Sequence, residues 1–207
     1  TRYNREGMTD TRMRLERGGV SNRVRPTIEG GARFEVETPS AIAAVRGTVF
    51  SLQADHDGSR VQVTEGEVTF GQPGHTRTIP AGFSASLAPG SSHLQITRLP
   101  PAPEATPLPG TVAGFPLELS WQPTGTGLYQ VQVLNSDTGA QVLDQQTRDT
   151  RFSLDNLRNG RYTVEIAALT PAGLTGLPHV AGFQVDLAAR AAYLQSPDNS
   201  AALDDDD

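Results

Sequence analysis

Cysteine is absent from this chain, which excludes disulfides and thiolate metal sites and leaves the redox compartment undecided. Lysine is absent as well, so all 17 basic residues are arginine. We read this as codon bias, because exposed arginine and lysine do similar solvating work. No apolar run approaches the roughly 18 residues of a transmembrane helix. No charged segment followed by an apolar one opens the chain, so no signal peptide is visible. A chain opening at Thr1 is therefore expected to be processed or excised from something longer. Helical periodicity is nearly missing too. Only residues 185–194, "VDLAARAAYL", offer a short alanine-rich candidate.

Apolar residues are nevertheless frequent enough, at 36%, to build packed cores and to argue against wholesale disorder. With 207 residues the chain can hold one large domain or two of about 100 each. Charge is distributed unevenly. Up to Arg98 there are twelve arginines against ten acids, a balance of +2, and from Leu99 onward five against thirteen, a balance of −8. Four of those acids are Asp204, Asp205, Asp206 and Asp207, which read as a tail or an appended sequence. Neither half carries the clustered basic stripe of a nucleic-acid binder. The first 33 residues hold eight arginines against four acids, which suits a solvated strand face or contact with an anionic polymer.

The clearest boundary is "RLPPAPEATPLPGT", residues 98–111. Pro100, Pro101, Pro103, Pro107 and Pro109 block helix and central strand and favour an extended spacer. Either side reads as β. Before it, "RFEVE" puts Phe34 and Val36 on one face, and "RVQVTEGEVTF" puts Val61 and Val63 there, then Val68 and Phe70. The phase slips by one at Glu65-Gly66, which predicts a turn or bulge. "LERGGVSNRV", "VTEGEVTF" and "IPAGFSASL" repeat one phrase weakly: an apolar residue, a glycine corner, another strand. That suggests a rolled or solenoid-like β architecture. Beyond the prolines, "PLELSW", "LYQVQVL", "RFSLDNL", "RYTVEIAAL" and "GFQVDL" alternate as short strands, with Trp121 early, and predict a β-sandwich.

Within "TPSAIAAVRGTVFSL", an extended apolar stretch is interrupted by Arg46-Gly47-Thr48. A Thr-Pro entry, a Val-Arg-Gly-Thr centre and later glycine corners make residues 33–88 resemble the FecR-type periplasmic domain of bacterial envelope proteins. The residues that carry the resemblance are Thr38, Pro39, Val45, Arg46, Gly47, Thr48 and Phe50, with Gly66 and Gly82 at the corners. The family usually has an acid before the phenylalanine, and Val49 stands there instead. Residues 112–188 resemble a fibronectin type III-like sandwich: Trp121 takes the inner position of the second strand, and Leu157 and Tyr162 resemble the tyrosine corner. "LRNGRY" is shorter than the usual spacing, which leaves room for a distorted corner. The resemblance implies an all-β fold with residues 1–98 as the FecR-type domain, 99–111 as linker, 112–188 as sandwich and 189–207 as tail. The same order occurs in secreted proteins that often begin with a peptidoglycan-binding LysM module.

Chemistry is sparse. His56, His75, His93 and His179 sit beside Gly, Asp, Ser or Pro in predicted turns, with no metal-ligand spacing. "DHDG", residues 55–58, lacks the later acids of a calcium loop and reads as turn chemistry. No nucleophile elbow or phosphate loop is present. We therefore expect no enzyme, no cofactor and no metal. Arg46-Gly47 reads as a structural corner. The resemblance implies a periplasmic or secreted envelope module acting in signalling or scaffolding through protein contacts, its partner a sensor, receptor or trans-envelope component. The alternative is a cell-wall or glycan-binding accessory protein held at peptidoglycan. Neither nucleic acid nor a membrane span enters either reading. The expected contact residues are Arg23, Arg25, Arg33, Arg46 and Arg60, on the more basic half.

Overall fold

Strands that alternate apolar and polar residues must keep one face dry, and the turns between them decide where that face points. The computed structural model, which describes residues 2–3, 9–23, 34–45 and 47–188, divides into two units, Thr1–Leu99 and Pro100–Asp207. The first holds β1 (Arg2–Tyr3), β2 (Thr9–Arg14), β3 (Gly18–Arg23), β4 (Phe34–Glu37), β5 (Ile42–Val45), β6 (Val49–Asp55), β7 (Gly58–Glu65), β8 (Glu67–Gln72), β9 (His75–Pro80), β10 (Phe83–Leu87) and β11 (Gln95–Arg98). They form two sheets, in the orders β1-β2-β4-β5-β8-β9 and β11-β10-β7-β6-β3.

From β5 onward the chain alternates two kinds of connection. Hairpins keep it in one sheet: β6 to β7 turns at His56-Asp57, and β8 to β9 turns at Pro73-Gly74. Crossovers carry it to the other sheet at residues 46–48, at Gly66, and at Ala81-Gly82. The phase slip at Glu65-Gly66 is such a crossover. Val61 and Val63 face the core from one sheet, Val68 and Phe70 face it from the other, and all four are fully buried. The repeated glycine phrases mark the same event, with the β2-to-β3 crossover preceding Gly18. A two-sided core follows, made of Val36, Ala43, Val45, Phe50, Leu52, Val61, Val63, Val68, Phe70, Ile79, Ala85 and Leu87.

The crossovers stack on one another. Ala81 N donates to Gly66 O (2.8 Å), Gly82 N to Val63 O (2.9 Å), and Leu99 N to Gly82 O (2.8 Å). Gly66 has φ +74°, and a Cβ there would lie 2.6 Å from Thr48 Cγ2 and 2.8 Å from Gly47 O. Gly47 itself has φ 62°. Both positions thus need a residue without Cβ.

The second unit holds β12 (Thr111–Val112), β13 (Leu117–Ser120), β14 (Tyr129–Asn135), β15 (Gln141–Thr147), β16 (Arg151–Leu154), β17 (Gly160–Ala168) and β18 (His179–Val185). Its sheets run β12-β18-β17-β14-β15 and β13-β16, the sandwich that the sequence pattern predicts. Trp121, Tyr129, Val131, Val133, Tyr162, Val164, Ile166 and Phe183 fill its core. The Trp121 ring meets Tyr129 edge-on at 5.4 Å. The tyrosine corner is formed despite the short "LRNGRY": Tyr162 Oη donates to Arg158 O at 3.0 Å, with Leu157 packed against the core.

The proline-rich segment lies along this unit. Thr106 N donates to Ser120 O, Gln122 N to Glu104 O, Leu177 N to Pro100 O and Gln184 N to Gly110 O. From Pro100 beside Leu177 it passes the end of β13, bridging at Ala105 and Trp121, and ends parallel to β18 through Thr111 and Val112. In the helix candidate, Val185 instead closes β18, and most of the remainder lies outside the described residues, as does the aspartate tail.

Two expectations follow. Gly66→Ala should lower the stability of the first unit by about 1–3 kcal/mol, from backbone strain and contact with Thr48. Gly74→Ala should cost less, because Gly74 shares the positive φ (+81°) but has open space around it; thermal melts of the two variants compare the effects. Tyr162→Phe should cost about 1 kcal/mol in urea unfolding of the second unit, by leaving Arg158 O without its donor.

Candidate functional site

The residues that carry the FecR resemblance separate into two clusters at opposite ends of β5. At its entry, Thr38 Oγ1 donates to Ala41 O (2.8 Å) and accepts from Ala41 N (2.9 Å) and from Ser59 Oγ (2.8 Å). Ser59 has only one hydroxyl proton, so in the contact between Ser40 and Ser59 the Ser40 hydroxyl donates. The chain of donors runs Ser40, Ser59, Thr38, Ala41 O, and ties the β4–β5 turn to β7 of the other sheet. Each bond polarises the next. Pro39 stays exposed on the rim of an open depression with Arg14, Glu37, Gln72 and Pro73. The chain is built of three hydroxyls and the backbone of Ala41, and serves to hold the turn.

At the exit of β5, Val45 (3% exposed), Thr48 (1%) and Phe50 (1%) are buried around the Gly47 corner. Phe50 meets Phe34 edge-on at 6.3 Å. Gly66 closes over Thr48, and Gly82 follows at the next crossover. Thr48 Oγ1 is buried with no hydrogen-bond partner among the described residues. Its methyl group, by contrast, is what Gly66 packs on. The geometry uses Thr48 as a β-branched filler and leaves its hydroxyl idle.

Of the arginines expected to make contacts, Arg25, Arg33 and Arg46 lie outside the described residues, and so does the side chain of Arg23, whose backbone ends β3. Arg60 is half-buried and holds an interaction of its own. The five are therefore not seen as one patch. Trp121 is 4% exposed, and its Nε1 has no partner among the described residues.

His75 and His179 open strands β9 and β18 and do not sit in turns. Asp55, His56 and Asp57 form the β6–β7 turn, where Asp57 N donates to Asp55 Oδ1 at 2.8 Å. Their ligand atoms lie within 4.8 Å of one another, but all three side chains are exposed, as turn residues are. In the second unit, the Arg161 guanidinium holds the Asp137 carboxyl below its ordinary pKa through a side-chain hydrogen bond. Gln130, helped by Gln132, does the same for Asp144. Asp137 thereby ties the β14–β15 turn to β17, and Asp144 links β15 to β14.

The hydroxyl chain was not legible in the sequence. Ser40 and Ser59 are common residue types, and only the sheet-to-sheet register brings them together. For the exit corner, Thr48→Val should keep or raise the melting temperature, because it removes an unpaired buried hydroxyl and preserves the branched shape. A clear drop in melting temperature would mean that the hydroxyl has a structural partner.

Comparison with known proteins bears on the first unit. The FecR protein family matches residues 1–69, starting earlier and ending earlier than the motif-bearing segment 33–88. No curated protein matches the chain. Among solved structures, it is similar to a proposed anti-sigma factor from Parabacteroides distasonis, at 22% identity over 47% of this chain and 46% of that one, with a TM-score of 0.38. It is also similar to the FN5 domain of Drosophila Lar, at 23% identity over 42% of this chain and 98% of that one, with a TM-score of 0.29. A third likeness is the extracellular domain of a proposed hybrid two-component system from B. thetaiotaomicron, at 9% identity over 80% of this chain and 31% of that one, with a TM-score of 0.31. This chain spans less than half the length of the first and third. The FecR match thus lies within the first unit, and a two-sheet β-sandwich with a formed tyrosine corner follows it.

Proposed function

We propose that this chain is a non-enzymatic module of the bacterial envelope, periplasmic or secreted, that works in signalling through protein–protein contacts. The observation that carries the reading is the FecR family match falling on the corner-built first unit. There the motif residues are spent on shape: Thr38 on a turn, Gly47 and Gly66 on crossovers, Val45 and Phe50 on the core. With the marked residues spent on the framework, recognition falls to the loops and strand faces that the framework positions. The contact side is the more basic first unit, including Arg23, Arg25, Arg33, Arg46 and Arg60, and the sandwich acts as spacer or second contact. Positive charge steers an acidic partner and makes its association depend on salt.

Immobilised full chain should retain one defined protein from bacterial envelope extracts, and its recovery should fall as salt rises. Sedimentation of the chain with purified peptidoglycan, without a protein partner, would replace this reading with cell-wall binding.

A further inference from the structure

Among the described residues, each sheet of the first unit ends on a strand that is paired on one side only. β9 is the last strand of one sheet and β11 the last of the other. The inner-face rows of the core run out onto these strands. In one sheet the register Val36, Ala43, Phe70 continues to Arg77. In the other, Leu52, Val61, Ala85 continues to Ile96, and Phe50, Val63, Phe83 continues to Arg98. The inner members Val36, Ala43, Phe70, Leu52, Val61, Ala85 and Val63 are fully buried. The terminal residues are not: Ile96 is 40% exposed, and Arg77 and Arg98 are exposed. The core thus continues past its cover into an apolar step flanked by cations.

The sequence that carries those cations is free of acids. Between Glu67 and Glu104 the sequence contains no aspartate or glutamate, and this stretch supplies β9, β10, β11 and their connections. The ion pairs found among described residues of the unit join Arg12 to Glu35, Arg14 to Glu16 and His56 to Asp57. Arg77 and Arg98 are in none of them. His75 on β9 and His93 before β11 are exposed on the same acid-free stretch.

We propose that the open side between β9 and β11 is a docking edge for an extended, acidic segment of a partner protein. This rests on the reading that the first unit works through protein contacts, and it specifies where and with what chemistry. An edge strand offers unpaired backbone donors and acceptors to an incoming strand. Ile96 and the half-buried Phe83 and Leu94 supply an apolar floor for its alternate side chains. Arg77 and Arg98 select for carboxylates. The same cations turn away a second copy of this edge, since like charges would meet.

The test uses the full chain and a fluorescein-labelled, end-blocked peptide alternating valine or threonine with glutamate, read by anisotropy at low salt. The glutamate peptide should bind, and a lysine counterpart should not. Methylating the peptide's backbone nitrogens at alternate positions should abolish binding if a strand is added to the edge. Arg77→Glu with Arg98→Glu should weaken binding at least about tenfold while the melting temperature holds. If that variant fails to fold, Arg77→Gln with Arg98→Gln and the methylated peptide carry the decision. The proposal falls if the glutamate peptide shows no binding up to millimolar concentration, or binds the charge-reversed chain equally well. It falls too if binding ignores methylation, or if sedimentation shows copies of the chain pairing through this edge. An envelope protein recovered equally by wild-type and charge-reversed chains would sink the docking edge and leave the proposed function standing; recovering none with either would sink the function itself.

Discussion

Everything in the first unit depends on how a strand can leave one sheet and enter the facing one while its dry face stays inward. The alternation of side chains has a period of two, so a crossover that fails to reset the phase would turn a whole strand's apolar set to solvent. Gly66 makes this reset in a single residue. It does so with a positive φ and with no room for a side chain against Thr48. The Ala81-Gly82 crossover hydrogen-bonds to Gly66 O and to Val63 O at the end of β7, and Gly82 O in turn holds Leu99 N, so one corner helps to position the next. The motif residues are the parts of this device that cannot be varied cheaply.

This division explains what the sequence disclosed. The glycine phrases were legible because backbone conformation constrains residue type, and the phase slip at Glu65-Gly66 announced a corner even without a fold in mind. The sandwich was legible through Leu117, Leu119, Tyr129, Val131, Val133, Val164 and Ile166, which alternate strictly and are all buried. β15 gave no such signal. Its sequence "QVLDQQT" is exposed at five of seven positions, as befits an edge strand that pairs only with β14. The bond between Ser40 and Ser59 was invisible for another reason: a contact between sheets leaves no periodic trace in either strand.

Charge was legible in its balance and not in its placement. Counting residues gave a basic first half, yet the arginines nearest the amino terminus do not emerge as a described patch. Arg77 and Arg98, exposed at the ends of buried rows, became apparent only when register carried the core rows outward to β9 and β11. A sum over sequence cannot tell a charge at the end of a buried row from one on a solvated face.

The proline-rich segment has one more physical consequence. Five of its residues lack a backbone N–H, and its ordered contacts are mostly made by carbonyls, Pro100 O and Gly110 O among them, accepting from Leu177 and Gln184. A fibril grows when an exposed strand presents a continuous ladder of donors and acceptors to the next chain. Running along the flank of the sandwich past β13 to β18, this segment presents a ladder with five donor rungs missing, which makes this flank of the second unit a poor template for amyloid-type growth.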